Sequence, residues 1–407
     1  MTSDRSAEES AEEVSFRQEV RTWLKEKLPS GWGTPEYKSP ERLTEEAQQL
    51  GEEWAKKVYD AGYSGFNYPK EFGGIERPEW QRRTIQQEMA RCGTPPGPMS
   101  QGLLMVAPTI LAWGQDWQKK RFIPKILSGE ESWCQGFSEP DAGSDLANVR
   151  TTAVRDGDEW VINGQKCWTS NWKFADYGLL VVKTDSEGTR HRNLSYFIFD
   201  CSAAGFSRRP LRQMTGETEF GEMFFDNMRI PHENLLGELN RGWYVALTSL
   251  TAERSGGAGM ASMGYGGRRG RGGIDAIIDL ARKTKRRGTV VWDDAIFRQR
   301  IAQFAIEGEA LRYSAIRAAA RMHKGIEGPG NEMSVGKNFS AEMRQRREDM
   351  VIEMLGSHSQ LVRGSKAAID DGLWVYLMLR SRGATIEMGT SEINRNIIAE
   401  RILGLPR

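Results

Sequence analysis

The sequence predicts an α+β protein of three consecutive domains, because its hydrophobic periodicity changes twice along 407 residues. Apolar residues recur at helical intervals up to about Ser128, at strand-like intervals from about Glu131 to Gly237, and at helical intervals again from Trp243. A chain of this length is also long for one hydrophobic core. The predicted domains are residues 1–130, 131–240 and 241–407.

Two amphipathic helices are predicted near the N-terminus. The first begins near Val14, where apolar residues recur every two to four positions, and Pro29 ends it. The second runs from Glu46 to Asp60 and ends at Gly62, which can adopt the left-handed conformation of a helix cap. The first domain is therefore predicted to be helical.

Short strands are predicted in the second domain. A hairpin turn is indicated by Asp156-Gly157-Asp158, and apolar runs at residues 179–182 and 194–199 have the length of buried strands. In the third domain, glycine-rich pieces at residues 264–273 and 325–330 interrupt the helices. The first piece contains three arginines, as RNA-binding tails do, but it is short and contains one aromatic residue. A mobile loop between helices is the favoured interpretation.

Composition excludes several function classes. The chain has 56 basic and 55 acidic side chains, which gives no indication of a nucleic-acid or membrane partner. Its four cysteines form no CxxC pair, and four histidines without helical spacing make a metal centre improbable. The N-terminal residues are acidic, and no apolar stretch is long enough to span a membrane. A cytoplasmic enzyme with reduced thiols is expected.

Two segments carry most of the functional information. Residues 138–145, Ser-Glu-Pro-Asp-Ala-Gly-Ser-Asp, form a predicted loop whose glycine and backbone N–H groups allow close approach of a polar ligand. Residues 166–171, Lys-Cys-Trp-Thr-Ser-Asn, place an indole and two hydroxyls at the end of a predicted strand. Either segment alone is ambiguous, because such loops are often plain turns and tryptophan is usually core. Together they resemble the flavin-binding middle domain of the acyl-CoA dehydrogenases.

The resemblance extends over nearly the whole chain. Further motifs are Trp-Cys-Gln-Gly-Phe at 133–137, Arg-Ile-Pro at 229–231, Asn-Leu-Leu-Gly-Glu at 234–238, and Gly-Thr-Ser-Glu-Ile-Asn-Arg-Asn at 389–396. The resemblance implies an N-terminal helical domain, a middle β-barrel or sandwich and a C-terminal four-helix bundle. It also implies FAD as cofactor, α,β-dehydrogenation of an acyl-CoA thioester to the 2-enoyl-CoA, and an electron-transfer flavoprotein as acceptor.

The position of the catalytic base is the main question within the family. Many members carry a glutamate immediately before the C-terminal Gly-Thr, where this chain has Met388, and Glu387 is displaced by one residue. A smaller group of bacterial members places the base on a helix directly before an arginine. Glu253 and Arg254 match that pattern, although an ordinary solvated helical pair would look the same. The resemblance implies Glu253 as base and Arg254 as a residue that orients it or the adjacent loop.

Other site residues follow from the resemblance position by position. The predicted isoalloxazine contacts are Gln135, Phe137 and Ser138 on one side and Trp168 and Ser170 on the other.

The remaining matches concern the substrate and the outer part of the flavin. Ser144 matches a contact to the pantetheine or phosphate of CoA, and the Met388 N–H matches the donor that polarises the thioester carbonyl. Thr390 and Glu392 match contacts to the flavin phosphate and ribitol.

Residues that a neighbouring subunit supplies to FAD depart from the family pattern. Arg282 is kept, but the aromatic residue three positions later is not, and Glu353 replaces a usual glutamine before Gly356. A carboxylate near a pyrophosphate is unfavourable unless a cation compensates, for which Lys285 and Arg286 are the candidates. The expected assembly is a homodimer or homotetramer, or a hetero-oligomer with a homologous subunit.

Substrate size is indicated by the residues after the proposed base. Three glycines between 256 and 259 suggest a wide acyl cavity, although close helix packing explains them equally well. We expect a long or bulky acyl group, such as a fatty acyl or steroid side-chain thioester. Two alternatives remain open: a flavin oxidase or monooxygenase on the same fold, and a non-catalytic subunit paired with a catalytic homologue.

Overall fold

The structure is a computed structural model that describes residues 9–34, 37, 40, 43–66, 68–95, 101–264, 272–323 and 332–406. Side chains are described for these residues except 254–264, 319–323 and 332. The chain forms two compact units. One comprises Met1–Arg212 and Thr218–Ser249, and the other Gln213–Glu217 and Leu250–Arg407.

The first unit begins with the predicted helices. A capping box at Ser10 and Glu13 starts the first helix, and Gly62 has the predicted left-handed φ of 68° after the second. Their apolar faces form a separate core that includes Val20, Leu24 and Ile85. The helices of this region are α1 (Ala11–Lys27), α2 (Glu45–Asp60), α3 (Glu79–Cys92), α4 (Ala107–Trp113) and α5 (Asp116–Ser128).

A buried carboxylate joins α1 to α3. Glu88 is 2% exposed and accepts hydrogen bonds from Arg17, Arg21 and Arg91 at 2.8–3.0 Å. Burial alone would raise the pKa of Glu88, but the three guanidinium groups outweigh it and lower the pKa to about 2. The pair of helices is thus tied by charge as well as by apolar packing.

A seven-stranded mixed sheet follows, with the spatial order β1-β4-β2-β3-β7-β6 and β5 paired to β4. β1 pairs in parallel with β4, whereas the β2–β3, β3–β7, β4–β5 and β6–β7 pairs are antiparallel. Aromatic and branched residues such as Trp160, Phe197 and Ile230 fill its core. The strands are β1 (Trp133–Gly136), β2 (Thr152–Asp156), β3 (Glu159–Ser170), β4 (Tyr177–Lys183), β5 (Leu194–Asp200), β6 (Phe206–Leu211) and β7 (Phe220–Pro231).

The predicted hairpin is confirmed. Asp156 pairs with Glu159, so that Gly157 and Asp158 form a two-residue turn with Gly157 at φ 63°. Residues 179–182 and 194–199 are the centres of β4 and β5 as expected.

Helices return at α6 (Gly242–Gly264), which begins in the first unit and ends in the second. Apolar side chains of α7 to α10 share one core that contains Ile277, Phe297, Met350 and Trp374. The later helices are α7 (Ile274–Lys283), α8 (Ala295–His323), α9 (Glu332–Leu355), α10 (Leu373–Ser381) and α11 (Ser391–Ile397), with a small hairpin of β8 (Lys285–Arg286) and β9 (Thr289–Val290). The expected α+β order of helices, sheet and helices is confirmed.

The structure also bears on the expectations about cysteines, membrane spans and glycine-rich segments. All four cysteines are free thiols. Within the described ranges, no helix is both long and apolar enough to cross a membrane. Most of the glycine-rich piece at 264–273, namely residues 265–271, and all of 325–330 lie outside the described residues.

Candidate active site

The predicted flavin contacts of β1 lie where that strand ends. Gln135 and Ser138 are half-buried, and Phe137 is 6% exposed, with its ring edge-on to Tyr196 at 5.8 Å between centroids. The Ser138 carbonyl accepts a hydrogen bond from the Cys167 N–H at 2.9 Å. The end of β1 is thereby joined to the segment of β3 that carries Trp168.

A buried ion pair holds this junction together. The Lys166 ammonium donates to Glu139 at 2.7 Å and to the Phe137 carbonyl at 3.0 Å, and the Lys166 side chain is fully buried. Glu139 also accepts from the backbone N–H groups of Arg150 and Thr151, at 2.6 and 3.0 Å. These four hydrogen bonds fix the start of the Ser138–Asp145 loop to β3 and to the segment that leads into β2.

Lys166 and Glu139 each affect the pKa of the other. Burial lowers the pKa of Lys166 to about 8, although the Glu139 carboxylate opposes this change. Burial raises the pKa of Glu139, but Lys166 outweighs it, and the Glu139 pKa lies below its ordinary value. Both groups are therefore charged at neutral pH, and each is an unfavourable buried charge without the other.

Trp168 lies in a β-bulge. Lys166 pairs with Met223 and Thr169 with Gly221, so two residues of β3 oppose one residue of β7. Trp168 has a φ of 59°, and its side chain is 55% exposed. A left-handed conformation is costly for a large side chain, on the order of 1–2 kcal/mol. The strain directs a wide aromatic face outward, as a ring-binding residue requires.

Ser144 lies on the exposed part of the Ser138–Asp145 loop. The loop is closed by paired backbone hydrogen bonds between Glu139 and Ala142, at 2.9 and 3.1 Å. Asp145, next to Ser144, forms an ion pair with Arg190. Ser144 is thus presented to solvent on an anchored loop, where it is accessible to a ligand.

These residues fit the isoalloxazine of FAD. Ser170, like Gln135 and Ser138, is half-buried and can exchange hydrogen bonds with the polar edge of the ring. Phe137 and the exposed face of Trp168 supply the aromatic surface that a planar heterocycle needs. Five predicted flavin contacts therefore lie on or next to the linked ends of β1 and β3.

In the second unit, two successive left-handed residues form the turn before α11. Met388 has a φ of 54° and Gly389 a φ of 86°. The Thr390 side chain caps α11 by accepting from the Ile393 N–H at 3.2 Å, while Glu392 is exposed in the first helical turn. The Met388 N–H has no hydrogen bond to another described residue, so it is available as a donor.

The turn is held from two sides. Lys337 of α9 donates to the Gly389 carbonyl at 2.5 Å. The Asn394 side chain donates to the same carbonyl at 2.8 Å and to the Thr390 carbonyl at 2.9 Å. Burial lowers the pKa of Lys337, against the opposing charges of Glu387, Glu392 and Glu342.

Glu387 forms an ion pair with Arg380. Its two carboxylate oxygens accept from Arg380 at 3.2 and 2.9 Å, and both side chains are partly buried. This bidentate pair directs the carboxylate toward α10. The carboxylate nearest in sequence to Met388 is therefore held in an ion pair.

Glu253 lies on α6 and is half-buried. It follows the boundary at Leu250 and thus belongs to the same unit as Met388. The side chain of Arg254 lies outside the described part of the structure. The assignment of Glu253 as base stays a prediction.

The residues expected to face a neighbouring subunit's FAD are exposed. The Arg282 guanidinium lies 5.1 Å from the ring centre of Trp292, so an aromatic partner is present, but it comes from ten residues later in the chain. Glu353 forms an ion pair with Arg300 at 2.5 Å, so a cation other than the expected Lys285 or Arg286 contacts it in this chain. Gly356 ends α9 with a φ of 56°.

The sequence alone did not identify Lys166, Glu139 and Lys337 as residues that hold the candidate site in place. A lysine inside a strand of alternating apolar residues is a signal that could have indicated the first of them. No cluster of metal-ligating side chains occurs in the described ranges.

Family models match three parts of the chain. They are the N-terminal, middle and C-terminal domains of acyl-CoA dehydrogenase, which match residues 10–130, 134–228 and 240–403. Among curated proteins, the chain is 34% identical to acyl-CoA dehydrogenase IpdE1 of Mycobacterium tuberculosis, over 96% of this chain and 97% of the relative. It is 36% identical to IpdE1 of Mycolicibacterium smegmatis, with the same coverage of both chains.

Solved structures of acyl-CoA dehydrogenases resemble this chain over nearly its whole length. The Tcur3481-Tcur3483 steroid acyl-CoA dehydrogenase has a TM-score of 0.79 at 29% identity and covers 99% of this chain and 100% of its own. The ChsE4-ChsE5 complex of Mycobacterium tuberculosis has a TM-score of 0.76 at 30% identity and covers 99% of both chains. The chain therefore belongs to the acyl-CoA dehydrogenase family and is an FAD-dependent oxidoreductase that acts on acyl-CoA thioesters.

Proposed function

We propose that this enzyme desaturates a long or bulky acyl-CoA, that Glu253 removes the α-proton, and that the electrons pass to an electron-transfer flavoprotein. The observation that carries the choice of base is the Arg380–Glu387 pair, which occupies the carboxylate next to Met388. Glu253 is then the glutamate whose position matches a known family pattern.

Each residue has a distinct part in this proposal. A proton next to a thioester is a weak acid, so the Met388 N–H donates to the thioester oxygen and stabilises the negative charge that develops there. Glu253, which is half-buried on α6, accepts the α-proton. The residues of the flavin platform would hold FAD, which would supply the acceptor for the hydride that leaves the β-carbon.

The first unit supplies the flavin platform. Gln135, Phe137, Ser138, Trp168 and Ser170 bind and orient the isoalloxazine, and the Lys166–Glu139 pair keeps the two strand ends in register. Ser144 contacts the CoA part of the substrate from its exposed loop. Thr390 and Glu392 bind the flavin's ribitol and phosphate region.

A bulky acyl group is supported by two observations. Glycines 256, 257 and 259 follow the proposed base in the sequence and carry no side chain that would narrow an acyl cavity. One of the similar solved structures is named a steroid acyl-CoA dehydrogenase. The preference for a bulky acyl group can be tested with a panel of acyl-CoA thioesters and an artificial electron acceptor. The panel contains straight chains of four to eighteen carbons and a steroid side-chain thioester. The proposal expects the highest kcat/KM among the long or bulky substrates and fails if short chains are preferred.

We infer further that the enzyme assembles with a homologous subunit in a cytoplasmic hetero-oligomer. Two of the similar solved structures carry paired names, Tcur3481-Tcur3483 and ChsE4-ChsE5. In this chain, Glu353 stands where the family uses glutamine beside a neighbouring subunit's FAD, and the aromatic residue three positions after Arg282 is absent, so these contacts depart from the usual homo-oligomer pattern. When this chain is expressed without its partner, the purified protein should contain less than the full amount of FAD. Co-expression with the partner should restore full FAD occupancy. A fully loaded homo-oligomer would contradict this inference, and a fully loaded monomer would exclude the homo-oligomer and the hetero-oligomer alike.

A further inference from the structure

A buried lysine contacts the turn that carries the predicted thioester donor. Lys337 is 6% exposed, and its ammonium donates to the Gly389 carbonyl at 2.5 Å. The contact joins residues 52 positions apart, so it is a tertiary feature of the second unit. A buried ammonium group is unfavourable unless it is well solvated by protein oxygens.

The carbonyl that Lys337 contacts belongs to the residue after Met388. Two successive left-handed residues are rare, and for methionine the conformation is strained. Such a turn persists only when its surroundings determine it, and here Lys337 and Asn394 bind the same carbonyl oxygen from two helices. The Gly389 carbonyl lies in the peptide plane that follows Gly389, so these two hydrogen bonds hold the end of the turn that begins at Met388.

We propose that Lys337 is a positioning residue, whose hydrogen bond to Gly389 holds the left-handed turn and thereby directs the Met388 N–H. The proposal rests on the function proposed above, in which that N–H polarises the thioester. Lys337 touches neither flavin nor substrate in this scheme and acts through the backbone.

Lys337→Met removes the donor with little change in side-chain length, and Lys337→Gln retains a donor. Acetoacetyl-CoA is the probe, because the fraction of its enolate when bound to the flavin-loaded protein reports polarisation of the thioester. We expect Lys337→Met to lower that fraction about tenfold and the turnover number by about 10–100-fold, with KM changed less than threefold. Lys337→Gln should recover part of the loss, and Lys366→Met, at an exposed position, should behave as wild type.

Amide hydrogen exchange gives a readout that is independent of activity. Peptides covering residues 386–397 should exchange at least tenfold faster in Lys337→Met than in wild type. Unchanged exchange would overturn the proposal even if the protein proved to have another activity. A fall in Tm with wild-type enolate fraction and turnover would also overturn it, since Lys337 would then only stabilise the fold.

Discussion

Glu387 and Arg380 form a bidentate ion pair, with N···O distances of 3.2 and 2.9 Å, immediately beside the backbone turn that is predicted to bind the thioester. The pair matters because the adjacent position, where many family members carry their base, is occupied by Met388. Both oxygens of the neighbouring carboxylate, Glu387, accept hydrogen bonds from Arg380 and are held on the side of α10.

We therefore predict that Glu387→Gln keeps the turnover number within about threefold of wild type, since neutralising this carboxylate removes no catalytic group. Steady-state kinetics with an artificial electron acceptor measures it. Arg380→Lys, which keeps the charge but loses the bidentate geometry, is the matched control. If turnover by Glu387→Gln were slower by about two orders of magnitude, the base would lie beside Met388 after all.

The Lys166–Glu139 pair gives a second prediction. Lys166→Met leaves the Glu139 carboxylate buried without its cation, which should destabilise the protein by about 3–5 kcal/mol. The double variant Lys166→Met/Glu139→Gln removes both charges and should be less destabilised than the single variant. Chemical denaturation monitored by flavin absorbance measures both. If the double variant lost more stability than Lys166→Met, the buried charge would not be the cause.

Trp168 gives a third prediction. Trp168→Ala removes the large aromatic face that we propose contacts the flavin, so flavin content should fall and the flavin absorbance band should shift. Trp168→Phe should retain more flavin because it keeps a ring. Trp117→Ala removes an indole that is 36% exposed on α5 and serves as a control. Normal flavin content and spectrum in Trp168→Ala would show that Trp168 has no role in the site.

The stability of the helical region should depend on pH through Glu88. Its pKa is lowered from an ordinary 4.5 to about 2, so its stabilisation is complete above pH 4.5 and is lost as the pH falls toward 2. Glu88→Gln should therefore lower the free energy of unfolding by about 3 kcal/mol at pH 7, and by progressively less below pH 4. Denaturation of both proteins from pH 3 to 7 measures the difference. The exposed Glu12→Gln is the control, and a pH-independent difference would contradict the assignment.

Local sequence signals predicted the fold well. The turn at Gly157, the end of α2 at Gly62 and the strand positions of β4 and β5 depend on residues that are adjacent in sequence, and each was confirmed. Periodicity also located the change from helices to strands and back.

Contacts between distant residues could not be predicted in the same way. Lys166 and Glu139 are 27 positions apart, and Arg300 and Glu353 are 53 apart, so their pairing depends on how strands and helices pack. Packing of α8 on α9 brings Arg300 to Glu353, a contact that no local pattern around either residue indicates. The β-bulge at Trp168 likewise arises from the register of two strands.

The most direct test of the central claim is single-turnover reduction of the flavin by the Glu253→Gln variant. The protein is loaded with FAD, assembled with its partner where one is required, and mixed anaerobically with the best acyl-CoA from the substrate panel. If Glu253 removes the α-proton, the rate of flavin reduction should fall by about 10²–10⁴ while flavin content and substrate binding stay near wild type. A reduction rate within tenfold of wild type would contradict the assignment of Glu253 as the base.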